Sequence, residues 1–395
     1  MRIKYQTIPY SRQTITSQNI KDVNKVLKSD FITQGPVNKK FEDAICKFVG
    51  SKHCATVNTA TSALTIACKT LGLKKGDILW TSTNSFVASS NCGLLCGAKV
   101  DFIDIDLENY NLSIEKLEKK LVQAKKKNKL PKILIPVHFA GHPCDMKKIF
   151  KLSQKYKFKI IEDASHALGS SDKNIKVGSC KYSDFTVFSF QAVKVITTGE
   201  GGCLTTNNRK LYEKVKLLRT HGITKEKNLF LNKRYKKQPW YYEQQILGTN
   251  YRLSDINSAL GLSQLRELKK NLNVRKKLVK NYYQLFRNYN FKFVDIPLNI
   301  KSAHHLLPIF YNFKNFNEKI NFFNYLKKKK IFLQVHYIPI YRQPYYQKLG
   351  FKINNYPNTE IYYKNIFSIP LFLQLNKMKQ IFIVNQILSF FKKNK

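Results

Sequence analysis

The chain has 395 residues, 43% hydrophobic and 13% aromatic, which allows a large core over about two domains and excludes a disordered chain. Its 69 lysines and arginines against 25 acidic residues give a formal net charge of +44. The basic runs KKKNK, NKRYKK and KKKK are scattered rather than gathered in one tail, which fits a solvated basic surface that attracts anionic substrates and argues against a nucleic-acid binder.

In chain order, the apolar positions Ile20, Val23, Val26 and Leu27 in TSQNIKDVNKVLK predict a helix over 16–28, broken by FITQGP. HCATVN (53–58) reads as a strand and ALTIACKTLG (63–72) as the helix after it, stopped by Gly72. DILWTS (77–82), KVDFIDID (99–106), ILIPVHFAG (133–141), FKIIED (158–163) and DFTVFSF (184–190) read as further strands, most of them separated by helical stretches. Their apolar runs are unbroken, as in strands covered on both faces, so an α/β fold with a mostly parallel sheet is expected over residues 1–255. From 256 to 395 the character changes: INSALGLSQLRELKKNL begins a helix, a long basic helix follows, HHLLPIFYNF and IFLQVHYIPIY read as strands, and a helix closes the chain near 376–392. A smaller α+β domain is expected there. No apolar run is long enough to span a membrane, and MRIKYQTIPYSRQ has no apolar signal core, so a cytoplasmic protein without membrane insertion is expected. The eight cysteines lack paired CxxC spacing, and no His or Cys pair accompanies Cys92 and Cys96. Free thiols in a reducing compartment, and no metal site, are the expectation.

Ligands of an open α/β sheet sit outside the carboxyl ends of its strands. Asp163 stands at such an end in IIEDASHALG, where its carboxylate could pair with a protonated ring nitrogen or simply cap the next helix. Lys194 follows another strand in FTVFSFQAVKVITTGEGG. Apolar neighbours there favour a neutral amine able to form a Schiff base, although a surface lysine would also fit. The glycines behind it allow a tight turn against a ligand. In NTATSAL, Thr61 and Ser62 open a helix and could hold a phosphate or serve as a plain cap. Ser189 offers a further hydroxyl, and Phe86 in TNSFVASSN could stack on a planar ring or pack in the core.

Taken together and in this order, these segments are specific. With FITQGP, DIDLENYNL, PVHFAGHPCDM, LRTHGI, GTNYRLSDINSALGLSQL and QVHYIPIYRQPYY, the chain resembles the DegT/DnrJ/StrS family of pyridoxal-phosphate-dependent nucleotide-sugar aminotransferases over nearly its whole length. ITTGEGG, ALGLSQL and QVHYIPIY are most similar to the subgroup that aminates carbon 4 of a UDP-4-keto-6-deoxy sugar in pseudaminic acid synthesis. The resemblance implies the aspartate-aminotransferase-like fold, type I, a homodimer with shared active sites, pyridoxal 5'-phosphate as cofactor, and L-glutamate and a UDP-sugar as substrates. It places the Schiff base and proton transfer on Lys194, the pyridine-nitrogen partner on Asp163, the ring-hydroxyl neighbour on His166 and the stacking ring on Phe86. It places phosphate ligands on Thr61, Ser62 and Ser189, and a contact to the neighbouring subunit's phosphate on Asn250. One departure stands out: where the family has His three residues before the lysine, this chain has Gln191. His336 and the tyrosines of QVHYIPIY could line the sugar pocket or pack as a strand.

Overall fold

A computed structural model describes residues 7–393; the first six residues of the MRIKYQTIPYSRQ stretch lie outside it. Strands β1 (His53–Val57), β2 (Ile78–Ser82), β3 (Lys99–Ile103), β4 (Ile133–Ile135), β5 (Lys159–Asp163), β6 (Phe185–Ser189) and β7 (Gly202–Thr206) form one seven-stranded sheet in the order β1-β7-β6-β5-β4-β2-β3. β7 pairs antiparallel with both β1 and β6, and the remaining pairs are parallel. β7, which opens on the second glycine of Gly201-Gly202 and ends in two threonines, was not foreseen as a strand.

The helices of this part are α1 (Ser17–Leu27), α2 (Pro36–Val49), α3 (Ala60–Thr70), α4 (Ala88–Leu94), α5 (Ile114–Lys126), α6 (Met146–Tyr156) and α7 (Arg209–Arg219). Alternate strand residues enter different cores. Ala55, Val57, Leu79, Ile133, Ile135, Ile161, Phe185, Val187 and Leu204 pack with α3, α4 and α7. Cys54, Phe188 and Cys203 pack with α2 and a later helix, and Trp80, Leu134 and Ile160 with α5 and α6. Burial on both faces is why these strands read as continuous apolar runs. All eight cysteines are free thiols, six of them buried.

Helix α8 (Asp255–Phe286) is a single 32-residue helix, so the apolar and basic stretches read as two helices are one. Its first turn also anchors α2, which the sequence reading missed. The buried Asp255 carboxylate accepts hydrogen bonds from the backbone N–H groups of Gly35 (2.7 Å), Val37 (2.9 Å) and Asn38 (3.1 Å), at the positive end of the α2 dipole. Replacing Asp255 with alanine strands these donors. It is expected to lower unfolding stability by about 2–4 kcal/mol, read from chemical denaturation midpoints at unchanged slope.

The second half of α8 enters another core. There Leu278, Val279, Tyr282 and Phe286 meet a small antiparallel sheet of β8 (Lys292–Phe293), β9 (Leu307–Phe310) and β10 (Ile366–Ile369). Helices α9 (Phe316–Lys328), α10 (Pro344–Lys348), α11 (Pro357–Asn365) and α12 (Lys377–Lys393) complete the chain. α12 contributes Ile383, Val384 and Ile387 to this core, as ordinary packing predicts. Only Leu307–Phe310 of HHLLPIFYNF is a strand, and IFLQVHYIPIY is not one. It makes isolated bridges, Ile331 with Ile8 and Gln334 with Ser368 of β10, and past Gln334 its backbone donors turn away: Val335 N–H to the side chain of Gln334, Tyr337 N–H to the Asn84 side chain, and Ile340 N–H to Thr83. Pro339 has no N–H to give. This segment runs irregularly across the large sheet's carboxyl edge.

Candidate active site

The carboxyl ends of β5 and β6 and the start of α3 open onto one cavity of about 870 Å³. Asp163, His166, Ser189, Lys194, Thr61 and Phe86 all line it, so six of the residues singled out in the sequence are brought together.

Asp163 is the last residue of β5 and is buried. Its Oδ2 accepts from Ser89 Oγ at 2.7 Å, and Ser89 Oγ in turn lies 2.7 Å from Ser85 Oγ. Its Oδ1 accepts from Ser165 N–H at 3.1 Å and from Ser165 Oγ at 2.6 Å. Among the described residues no cation is ion-paired to it. It is a buried carboxylate fixed by neutral donors, with lone pairs left for a cationic partner.

Lys194 sits on the hairpin loop between β6 and β7, half-buried, its N–H bonded to the Gln191 carbonyl at 2.9 Å. Burial pushes its ammonium down to about 8, against the opposing attraction of Asp163. The loop closes through Gly199, whose φ of 80° is left-handed, and Asn257 of α8 holds the Thr198 carbonyl at 2.6 Å.

At the start of α3, Thr59 caps the helix by accepting from Ser62 N–H, and Ser62 Oγ donates to Asn58 Oδ1 at 2.7 Å. Thr59, Ala60 and Thr61 therefore face the cavity, while Ser62 stands behind them. Gly202 makes this possible: a Cβ there would lie 2.6 Å from the Ala60 nitrogen. The turn is an anion cradle of N–H groups and hydroxyls pressed against the sheet. Thr59 went unnoticed in the sequence, although N-T-A-T carries the capping signal.

Phe86 precedes α4 rather than beginning it, and its largely exposed ring tilts against Tyr337 at 6.1 Å. His166 is buried, and burial with the nearby Lys194 charge holds its imidazole well below the usual range, so the ring is neutral at pH 7. Asn250 does not line the chain's own cavity; it is exposed and bridges Thr220. Gln191 does line it, its Oε1 accepting from Val193 N–H at 3.2 Å. His336 and Tyr337 line the cavity too, as wall rather than strand, joined by Tyr10, His305, Gln343 and Tyr363, none of which carried a recognisable local signal.

The aminotransferase family model DegT/DnrJ/EryC1/StrS matches residues 13–388. The chain belongs to this family. It is 39% identical, over 98% of both chains, to a UDP-4-amino-4,6-dideoxy-N-acetyl-beta-L-altrosamine transaminase of Campylobacter jejuni. It is 35% identical, over 97% of both chains, to the Helicobacter pylori protein of the same name. Among solved structures, Helicobacter pylori PseC, an aminotransferase involved in pseudaminic acid biosynthesis, superposes with a TM-score of 0.89 at 34% identity, covering 98% of this chain and 100% of that one. The PLP form of a putative sugar aminotransferase from Streptococcus pneumoniae matches at 27% identity and a TM-score of 0.89 over 98% of this chain and 99% of that one. The fold is thus that of the pyridoxal-phosphate-dependent sugar aminotransferases, and pyridoxal phosphate is the family's cofactor. The cavity fits it: an anion cradle, a carboxylate with no ion pair among the described residues, an exposed aromatic face and a lysine of lowered pKa converge on one space.

Proposed function

We propose that this chain transfers the amino group of L-glutamate to carbon 4 of a UDP-4-keto-6-deoxy-N-acetylhexosamine, a step of pseudaminic acid synthesis. The single observation that carries the chemistry is the convergence of Lys194 and Asp163 on one cavity. The sugar is inferred from the printed names of relatives that match end to end.

Bound pyridoxal phosphate supplies an electron sink for the charge left when a C–H bond breaks beside the amino group. The chain's residues hold and use it. Thr61, Ser189 and the N–H groups of α3 grip the phosphate, with Ser62 bracing them through Thr59. Phe86 covers a ring face, and Asp163 keeps the ring nitrogen protonated. Lys194, neutral part of the time, takes the proton from the glutamate Cα and later delivers one to carbon 4 of the sugar. The cavity is large for a small-molecule site, which leaves room for a nucleotide-sugar beside the cofactor. The net charge of +44 suits a diphosphate. We place the protein in the cytoplasm as a homodimer in which Asn250 serves the neighbouring site, with a large domain over 1–255 and a small one over 256–395. No helix of the described residues is long and apolar enough to cross a membrane.

With L-[15N]glutamate and UDP-2-acetamido-2,6-dideoxy-β-L-arabino-hex-4-ulose, the label is expected on carbon 4 of the product by NMR. No label on this sugar, with label accepted only by other keto-sugars such as a 3-keto sugar, would overturn the substrate assignment while leaving the reaction class.

A further inference from the structure

His166 does not point a free nitrogen into the cavity. Its Nδ1 lies 3.3 Å from the backbone N–H of Ala140, which can only donate. That nitrogen must accept, so the proton of the neutral ring is on Nε2. Nε2 lies 2.9 Å from Tyr337 Oη, and its N–H donates to the phenol oxygen. The tyrosine's own proton must then go elsewhere, and no acceptor for it is present among the described residues. Tyr337 is also fixed in place. Its backbone N–H is held by Asn84 Oδ1 at 3.0 Å, and its ring lies 6.0 Å from His166 in a near-parallel stack and 6.4 Å from Phe139. It shares the cavity with Asp163 and Lys194, and burial raises its phenol, so the proton stays on.

We propose that Tyr337 is the hydrogen-bond donor that this site presents to an anionic oxygen of the bound ligand, the cofactor's ring oxygen first among them, and that His166 is a positioning residue acting through it. The two form a directed relay, from Ala140 N–H to His166 to Tyr337 to ligand, in which each donor fixes the next. The proposal rests on the cofactor reading above. It departs from the expectation that His166 itself meets the ring hydroxyl.

The test uses the purified holoenzyme and pyridoxal phosphate as probe. Tyr337→Phe should weaken cofactor binding about tenfold, the worth of one hydrogen bond to a charged acceptor, and should move the visible absorption band of the bound cofactor or the pH at which it titrates. His166→Ala should show a similar change, and the double variant no more than Tyr337→Phe alone, because both act through one contact. His166→Gln, whose amide can accept from Ala140 and donate to Tyr337, should restore the parent's spectrum and serves if the alanine variant does not fold. An unchanged affinity and spectrum in Tyr337→Phe would overturn the proposal, as would losses that add in the double variant. If the parent binds no pyridoxal phosphate, the cofactor reading fails, and this proposal with it. If the parent binds it and only Tyr337→Phe is silent, the relay alone fails.

Discussion

Lys194→Ala is expected to lower turnover by at least about 10⁴-fold, because one amine both holds the cofactor and carries the proton in each half of the reaction. The fold should be unaffected, since Lys194 lies on a loop and its charge is held at a cost by burial. A thermal midpoint within a few degrees of the parent checks this. The same lysine sets a pH dependence. With its pKa lowered from 10.5 to about 8, the neutral fraction at pH 7 rises by roughly 300-fold over an ordinary lysine. The rate at which cofactor-free protein captures pyridoxal phosphate should therefore climb about tenfold per pH unit below 8 and level off above it. Stopped-flow absorbance reads this directly. A rate that climbs without a break to pH 10 would mean that burial does not tune this amine.

Asp163→Asn is expected to cost about 10³-fold in kcat/KM or more, roughly 4 kcal/mol of barrier. The carboxylate accepts from Ser89 and from both donors of Ser165, and has room for a ring N–H. An asparagine keeps one acceptor and turns an NH₂ towards donors on the other side. It also removes the negative charge that would keep a ring nitrogen protonated. Steady-state kinetics and the visible spectrum of the loaded variant check both effects. Ser89→Ala, which removes one of three donors and no charge, should lose far less. Equal losses in the two variants would mean that Asp163 is structural.

The positions of Asp163, Ser189 and Lys194 were legible because parallel strands advertise themselves as unbroken apolar runs, and the residues at their carboxyl ends face the ligand side. What was not legible depended on contacts between distant segments. α2 is lysine-rich, and its start is capped by Asp255, more than 200 residues away, so beyond Pro36 at its first position it has no side-chain cap of its own to announce it. β7 reads GCLTT, and it is a strand because β1 and β6 flank it. QVHYIPIY alternates like a strand, yet its donors are taken by Asn84 and Thr83, which makes it the cavity's wall. Ser62 belonged to the phosphate motif by sequence, but its hydroxyl turns back to Asn58, and Thr59 takes the facing position. For His166 the residue type and neighbourhood were legible, and only the Ala140 N–H revealed which nitrogen carries the proton.

The most direct test of the account is the absorbance spectrum of the purified protein loaded with pyridoxal phosphate, before and after addition of L-glutamate. A visible band is expected that glutamate replaces with one in the near ultraviolet, and that returns when 2-oxoglutarate is added. A protein that shows no visible band after incubation with the cofactor would contradict it, and Lys194 would then be a bystander in an apolar loop.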